Sequence, residues 1–346
     1  MIDAKICDWL MDNADAPVCY RVARELLKDD KTAKKIENEL FENKEVQKWL
    51  KNLKPTNPPQ HRSMEHGSFD FCLENALPKV VQLGLHGGME QVVDAVGFYV
   101  NPSNFNDAQL FLMANIQNEI ALNHMLVRLN QIYDFTKQRN YDIYISEEEK
   151  KKLTGIPKNW QESKFIKPQL FKEGYSYPLI YDIVGMYRLY GLNNTDVDKK
   201  IDSIISYIST NEFHNKISDG YGILISGEYA SGNPQYYSMG WEPKYPGWFD
   251  IIDYIENISA PKLLFFAEYI SLYPSARKTK WFNDLLFYFE KYKTENGTYL
   301  FPKEWLKESP GYAVQGHHIS FGENRRKKNW IEIESTFYMQ LLHQNI

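Results

Sequence analysis

Cysteine is scarce in this chain of 346 residues: Cys7, Cys19 and Cys72 are an odd number with no CxxC spacing. That count excludes a disulfide framework and a zinc ribbon, and the three read as buried reduced thiols. No apolar run approaches the roughly 20 residues needed to span a bilayer, the stretch Leu263 to Ala267 being stopped by Glu268, so no membrane insertion is expected. Charge of one sign is also lacking, with 40 basic residues against 45 acidic and a net of −5, which leaves no electrostatic footprint for a nucleic-acid backbone. The opening Met1-Ile2-Asp3-Ala4-Lys5 has no basic segment leading into an apolar stretch and a cleavage site, so a cytoplasmic protein is expected. Nor is there a P-loop, a GxGxxG after a strand, a GxSxG or an HExxH. The residues imply no cofactor and no metal, and they fix no oligomeric state.

What the chain has in abundance is aromatic: 24 Tyr, 19 Phe and 8 Trp, 15% of all residues. Rings at this density either build a core or line a ligand pocket. Helical periodicity dominates: Val18, Val22 and Leu26; Val46, Trp49, Leu50 and Leu53; Ile201, Ile204, Ile205 and Ile208; Phe266, Ile270 and Tyr273; and Ile333, Phe337 and Leu341 fall on single stripes. Further stripes at Leu112, Ile116 and Ile120 and at Ile180, Ile183, Val184 and Tyr187 bring the expectation to about a dozen helices. Alternation is confined to Tyr221–Ile225 and Tyr141–Ile145, so the expected class is all-α.

Three glycine-aromatic turns punctuate the helices: Gly174 to Pro178, Asp219 to Gly222, and Asn296 to Pro302. Glycine after Asn or Asp supplies positive φ, and the aromatic that follows can drop back between two helices. A degenerate repeat of helix pairs is one reading of these turns; glycines that merely end helices are the other. The Pro-rich Lys54-Pro55-Thr56-Asn57-Pro58-Pro59-Gln60 suggests a boundary between an N-terminal helical segment, 1–53, and a body, 64–346. The segment between Gly220 and Pro261, dense in Gly, Pro and aromatics, reads as a long ordered loop region.

The helix pairs and their turns, with the opening Trp9-Leu10-Met11-Asp12-Asn13-Ala14-Asp15-Ala16-Pro17-Val18-Cys19-Tyr20-Arg21, resemble the squalene cyclase and prenyltransferase α/α-toroid superfamily, specifically its Firmicutes members. The likeness runs over roughly residues 8–345. It implies a ring of inner and outer helices around a central cavity. The chemistry-bearing motifs of that superfamily are absent: Asp196-Val197-Asp198-Lys199 is the nearest approach to a DxDD acid motif, and reads instead as acids at a helix start. No cysteine beyond Cys72 is present to complete an Asp, Cys and His zinc set.

Four constellations could carry chemistry. In His66 to Glu74, Asp70 and Glu74 stand four apart; if Ser68 or Asp70 caps a helix running to Gly84 they share a face, as acid and base or as cap and bystander. Tyr181-Asp182 lies in an apolar helical stretch, where a buried Asp182 would hold its proton and could donate it. The loop from Tyr236 to Asp250 offers Tyr237, Trp241 and Trp248, with Tyr221, as pocket walls or as a plug. In Gly316 to Arg326, His318 could accept a proton and Arg325 or Arg326 bind an anion, or the arginines could pair with Glu323, Glu332 or Glu334 and join the last helices to the first. Asp70, Asp182 and His318 are therefore the expected catalytic residues. The expected partner is a small hydrophobic or isoprenoid-like molecule bound in an aromatic-lined central pocket, where acid catalysis could transform it, and whether a reaction follows is left open. A carbohydrate-active α/α-barrel with paired carboxylates and a non-catalytic binding toroid are the alternatives.

Overall fold

A computed structural model describes residues 3–54, 67–96, 119–138, 169–171, 195–216, 220–228, 234–241, 244–313 and 316–344. Helices dominate them. The N-terminal run is α1 (Ala4–Asn13), α2 (Ala16–Arg21, continued by a π-helical turn Val22–Leu26), α3 (Asp30–Glu42) and α4 (Lys44–Leu53). Each start follows local chemistry: Asp3, Asp29 and Asn43 accept the N–H groups of Lys5, Thr32 and both Glu45 and Val46, which the first turn leaves unpaired, while Pro17 supplies helical φ to α2. The stripe expected in α4 buries Val46, Trp49 and Leu53.

Next come α5 (Leu73–Gln82), α6 (Glu90–Val96), α7 (Glu119–Gln138), β1 (Gln169–Phe171), α8 (Thr195–Ile208) and α9 (Asn211–Lys216). Strands β2 (Gly220–Glu228) and β3 (Pro234–Trp241) form an antiparallel pair, and β1 adds parallel to β2. The expected long loop region is thus corrected: its first half is a hairpin. Backbone pairing of Tyr221 with Gly240 and Leu224 with Tyr237 organises residues whose Gly and Pro content hid the alternation. Of the two strand signals in the sequence, Tyr221–Ile225 lies inside β2, and Tyr141–Ile145 falls outside the described residues.

The C-terminal third holds α10 (Ile251–Asp253, running into a π-helical turn Tyr254–Ser259), α11 (Ala260–Ile270), α12 (Pro274–Arg277), α13 (Lys280–Glu290) and α14 (Trp330–His343). Helix α11, apolar almost all round, is buried on nearly every side, and α14, which contacts it, is buried as deeply with its Glu334, Ser335, Thr336 and Gln340 hydrogen-bonded inside. Around them one contiguous apolar cluster runs from Ile6 and Leu10 through Trp49 and Leu77 to Phe337 and Leu342. The N-terminal helices belong to this core: α1 packs on α14, and Asp3 N–H donates to Gln340 at 3.2 Å.

One of the expected glycine-aromatic turns behaves as the sequence suggests. Gly297 takes φ +83°, and Tyr299, buried, drops between α13 and α14, its N–H donating to Thr336 Oγ1 at 2.9 Å and its hydroxyl to Glu290 at 2.6 Å. Of the turn expected at Asp219–Gly222, Gly220–Gly222 open β2 while Asp219 lies outside the described residues, as does Gly174–Pro178. No helix among the described residues is long and apolar enough to cross a membrane.

Candidate functional site

Two places in the molecule concentrate chemistry. The first is a buried polar constellation where α4, α5, α14 and the segment 306–325 meet. Asp70 is not in a helix with Glu74: α5 starts at Leu73, so Asp70 precedes it and the shared-face arrangement does not form. Instead Asp70 Oδ1 accepts the Gly311 N–H at 3.1 Å and stands 3.4 Å from His318 Nε2. That nitrogen is also 3.1 Å from the Gly311 carbonyl, which can only accept, so the proton resides on Nε2 and Nδ1 carries a lone pair. Nδ1 is buried without a partner among the described residues, as is Nε1 of Trp49, whose ring meets His318 edge-on at 4.5 Å. Burial pushes the imidazole down to about 4, helped by the Lys79 charge and opposed by Asp70, so His318 is neutral at physiological pH.

Sequence reasoning missed the centre of this constellation. Lys79, on the buried face of α5, donates to the carbonyls of His318 at 2.9 Å and Ser320 and to Gln82 Oε1 at 3.0 Å. Three acceptors suit an ammonium, while burial brings its pKa down to about 8. Glu334, wholly buried on α14, accepts from Phe321 N–H at 2.9 Å and from Ser320 Oγ and Glu323 N–H at 3.3 Å. Burial raises its carboxyl to about 7 against the pull of Arg325 and Lys79. Glu308 is the opposite case: burial works to raise it, but Lys79, Lys48 and Arg325 hold it at about 2. Its Oε1 meets Lys48 at 3.2 Å and its Oε2 lies 4.0 Å from Arg325 Nε. Arg325 donates to the Leu306 carbonyl at 2.7 Å, lies over Trp330 and stands 4.0 Å from Glu334. The only sequence signal for Lys79 was a charge placed on an otherwise apolar helix face, whereas Glu334 stood among the candidate partners of the arginines.

A second buried ion pair lies nearby. Arg21 of α2 donates to Glu268 of α11 at 3.1 Å, to both oxygens of Glu25 at 2.9 Å and to the Gln82 carbonyl at 2.9 Å, beneath the rings of Phe321 and Phe337. Arg326 is exposed and takes no part in either cluster. Asp182 and Tyr181 lie outside the described residues. Tyr221, Tyr237 and Trp241 are placed by backbone register in the hairpin.

Trp248 is held in packed aromatic structure rather than beside open space. It stacks on His214 at 4.2 Å and 2°, donates from Nε1 to Asn211 at 2.8 Å and meets Tyr245 edge-on. Tyr245, buried, hydrogen-bonds Ser209 at 2.6 Å, and Trp281 donates to the Pro246 carbonyl at 2.8 Å.

The second place is an open groove of about 400 Å³ between the π-helical turn Tyr254–Ser259 and the segment 302–307. Its floor is Tyr288, Tyr292 and Trp305, with ring centroids 5.0 to 6.3 Å apart, flanked by Ile255, Ile258 and Pro261. Glu256, Glu304 and Lys307 supply its charges, and Tyr288 donates to Glu256 at 3.2 Å. π-Helical turns are rare and are found often at functional sites, because they push one residue out of the helical register. Sequence periodicity gives no sign of this groove, since its residues come from three separate segments, 255–261, 288–292 and 302–307. No group of His, Cys, Asp and Glu among the described residues is placed to hold a metal ion. Comparison with known proteins finds no match: no family model, no curated protein and no solved structure resembles the chain significantly.

Proposed function

We propose that the protein binds a small, largely apolar ligand of the hydrophobic or isoprenoid-like class in the groove between Tyr254–Ser259 and residues 302–307, within the helical ring that the sequence resemblance implies. The observation that carries this reading is the groove itself: about 400 Å³, floored by Tyr288, Tyr292 and Trp305 and edged by Ile255, Ile258, Pro261 and Pro302. The lining is mixed, its rings and aliphatic side chains offering apolar contact and its polar groups fixing orientation. Here Glu256, Asn257, Glu304 and Lys307 are those groups.

A second reading, a carbohydrate ligand, draws on the near-parallel Tyr288 and Trp305 rings with carboxylates beside them. The two separate in one experiment: titration of the purified protein with a short isoprenoid alcohol and with a methyl glycoside, followed by calorimetry. Ile258 is 64% exposed, so Ile258→Glu places a charge in the groove without disturbing the core. The expected result is binding of the isoprenoid alcohol, weakened about tenfold or more in Ile258→Glu. Binding of the glycoside alone, or isoprenoid binding unchanged in Ile258→Glu, overturns the first reading.

A further inference from the structure

We propose that the segment Ser320–Lys327 is a proton-operated strap: uptake of protons by Glu323 and Glu334 tightens the closure between the N-terminal helices and α14, and their loss loosens it. The inference is independent of the groove.

The strap threads between two parts of the chain that meet only in the fold. On its N-terminal side, Glu323 accepts the Asp15 N–H at 2.5 Å, Asn324 N–H donates to Asp15 Oδ2 at 2.7 Å, and Lys327 reaches Asp15 at 2.9 Å and the Asn13 carbonyl at 2.9 Å. On its other side, Phe321 and Glu323 donate their N–H groups to Glu334 of α14. Glu323 thus couples the two sides, its carboxylate turned toward α2 and its N–H toward Glu334. Gly322 takes φ +92°, and an added Cβ would meet Pro17 at 2.9 Å and Leu83 at 2.8 Å, so the strap lies against α2 and α5 with no spare room.

Each carboxylate sits among a definable set of charges. Glu323 faces Lys327 on the strap itself and Asp15 and the buried Cys19 thiol from the N-terminal side. Glu334 faces Arg325 of the strap and Lys79 of α5, with Glu308 joined to both cations. Below neutrality neither set holds its buried carboxylate ionised: burial outweighs Lys327, whose Nζ lies 3.1 Å from Glu323 Oε2, and outweighs Arg325 and Lys79 for Glu334, and both carboxyls are raised to about 7 from an ordinary value of 4.5. Glu334 Oε2 also has no hydrogen-bond partner among the described residues, the Arg325 guanidinium standing 4.0 Å from it, so on ionisation its charge is met only across that gap.

The linkage sign follows. Between 4.5 and about 7 the closed strap holds protons that an open or unfolded chain has already released, so closure weakens as pH rises through that window and stays weak above it. Glutamine mimics the protonated acid. Carbon-13 carboxyl spectra of the glutamate-labelled wild-type protein should show two carboxyls titrating near neutrality. Amide exchange of residues 320–327, corrected for intrinsic rate, should lose protection from about pH 5 to about pH 8 in the wild type and stay level in the Glu323→Gln/Glu334→Gln double variant. Should the double variant not fold, Glu323→Gln alone should show a reduced slope. Glutamate carboxyls that all titrate in the ordinary range, or equal pH slopes in wild type and variants, overturn the proposal.

Discussion

Asp70 and His318 meet at 3.4 Å with the Gly311 peptide between them, its N–H donated to the carboxylate and its carbonyl facing the imidazole. This contact orients the histidine ring and ties the segment before α5 to the segment after residue 306. Asp70→Asn should therefore lower stability by about 1 kcal/mol, the usual worth of a partly exposed hydrogen bond. His318 should show no protonation in an NMR titration until well below pH 6, since burial holds it near 4. An imidazole that titrates at its ordinary value would mean that the site is open to water.

Arg21 is the least replaceable charge. Its guanidinium is buried and serves Glu25, Glu268 and the Gln82 carbonyl together. Removing one partner of a buried pair strands the other, so Arg21→Ala should cost about 3 to 5 kcal/mol in chemical denaturation. Adding Glu268→Gln to Arg21→Ala should recover part of that loss. Additive losses in the double variant would contradict the coupling.

Gly316 takes φ +74°, and a Cβ there would fall 2.5 Å from the Pro261 carbonyl carbon at the start of α11. Neither backbone can yield without moving α11. Gly316→Ala should lower the melting temperature by several degrees, from a cost of about 1 to 3 kcal/mol.

The stability of the whole chain should peak near pH 6.5. His86, His214 and His318 are depressed by burial to about 4, 3 and 4 from 6.5. Folded, they bind fewer protons than the unfolded chain, so stability is lost as pH falls below 6.5. Glu323 and Glu334 act in the other sense, their raised pKa values lowering stability as pH climbs toward 7. Burial also lowers His343 and raises Glu268, and melting temperature across pH 5 to 8 checks the balance: four lowered histidines outnumber three raised acids among the described residues below 6.5, so the limb there should rise with pH. A monotonic fall across the range would contradict these assignments.

Much of the fold is legible from periodicity, and much of the site is not. The stripes Val46–Leu53, Ile201–Ile208 and Ile333–Leu341 are buried helix faces because an apolar repeat of 3.6 residues has one way to escape water. Of the hairpin Gly220–Trp241 only the alternation at Tyr221–Ile225 shows in the sequence, since Gly and Pro carry no face, and its pairing is set by partners across the sheet. His318, Asp70 and Arg325 were visible as residue types, and the fold gathers all three. Lys79 and Glu308, which link them, were not, because a lone charge on an apolar face looks the same whether solvated or paired across the core, and Glu334 was legible only as one of three possible partners for the arginines. The proposed groove shows least of all in sequence, being assembled from the π-helical turn, α13 and the 302–307 segment.

Whether that groove binds ligand is settled most directly by NMR: titrate the labelled protein with a short isoprenoid alcohol and follow every amide and indole resonance. The account predicts saturable shifts concentrated at Ile255–Ser259, Tyr288, Tyr292 and the Trp305 indole, with Trp49 and His318 unmoved. Shifts centred elsewhere, or none at millimolar ligand, would contradict it.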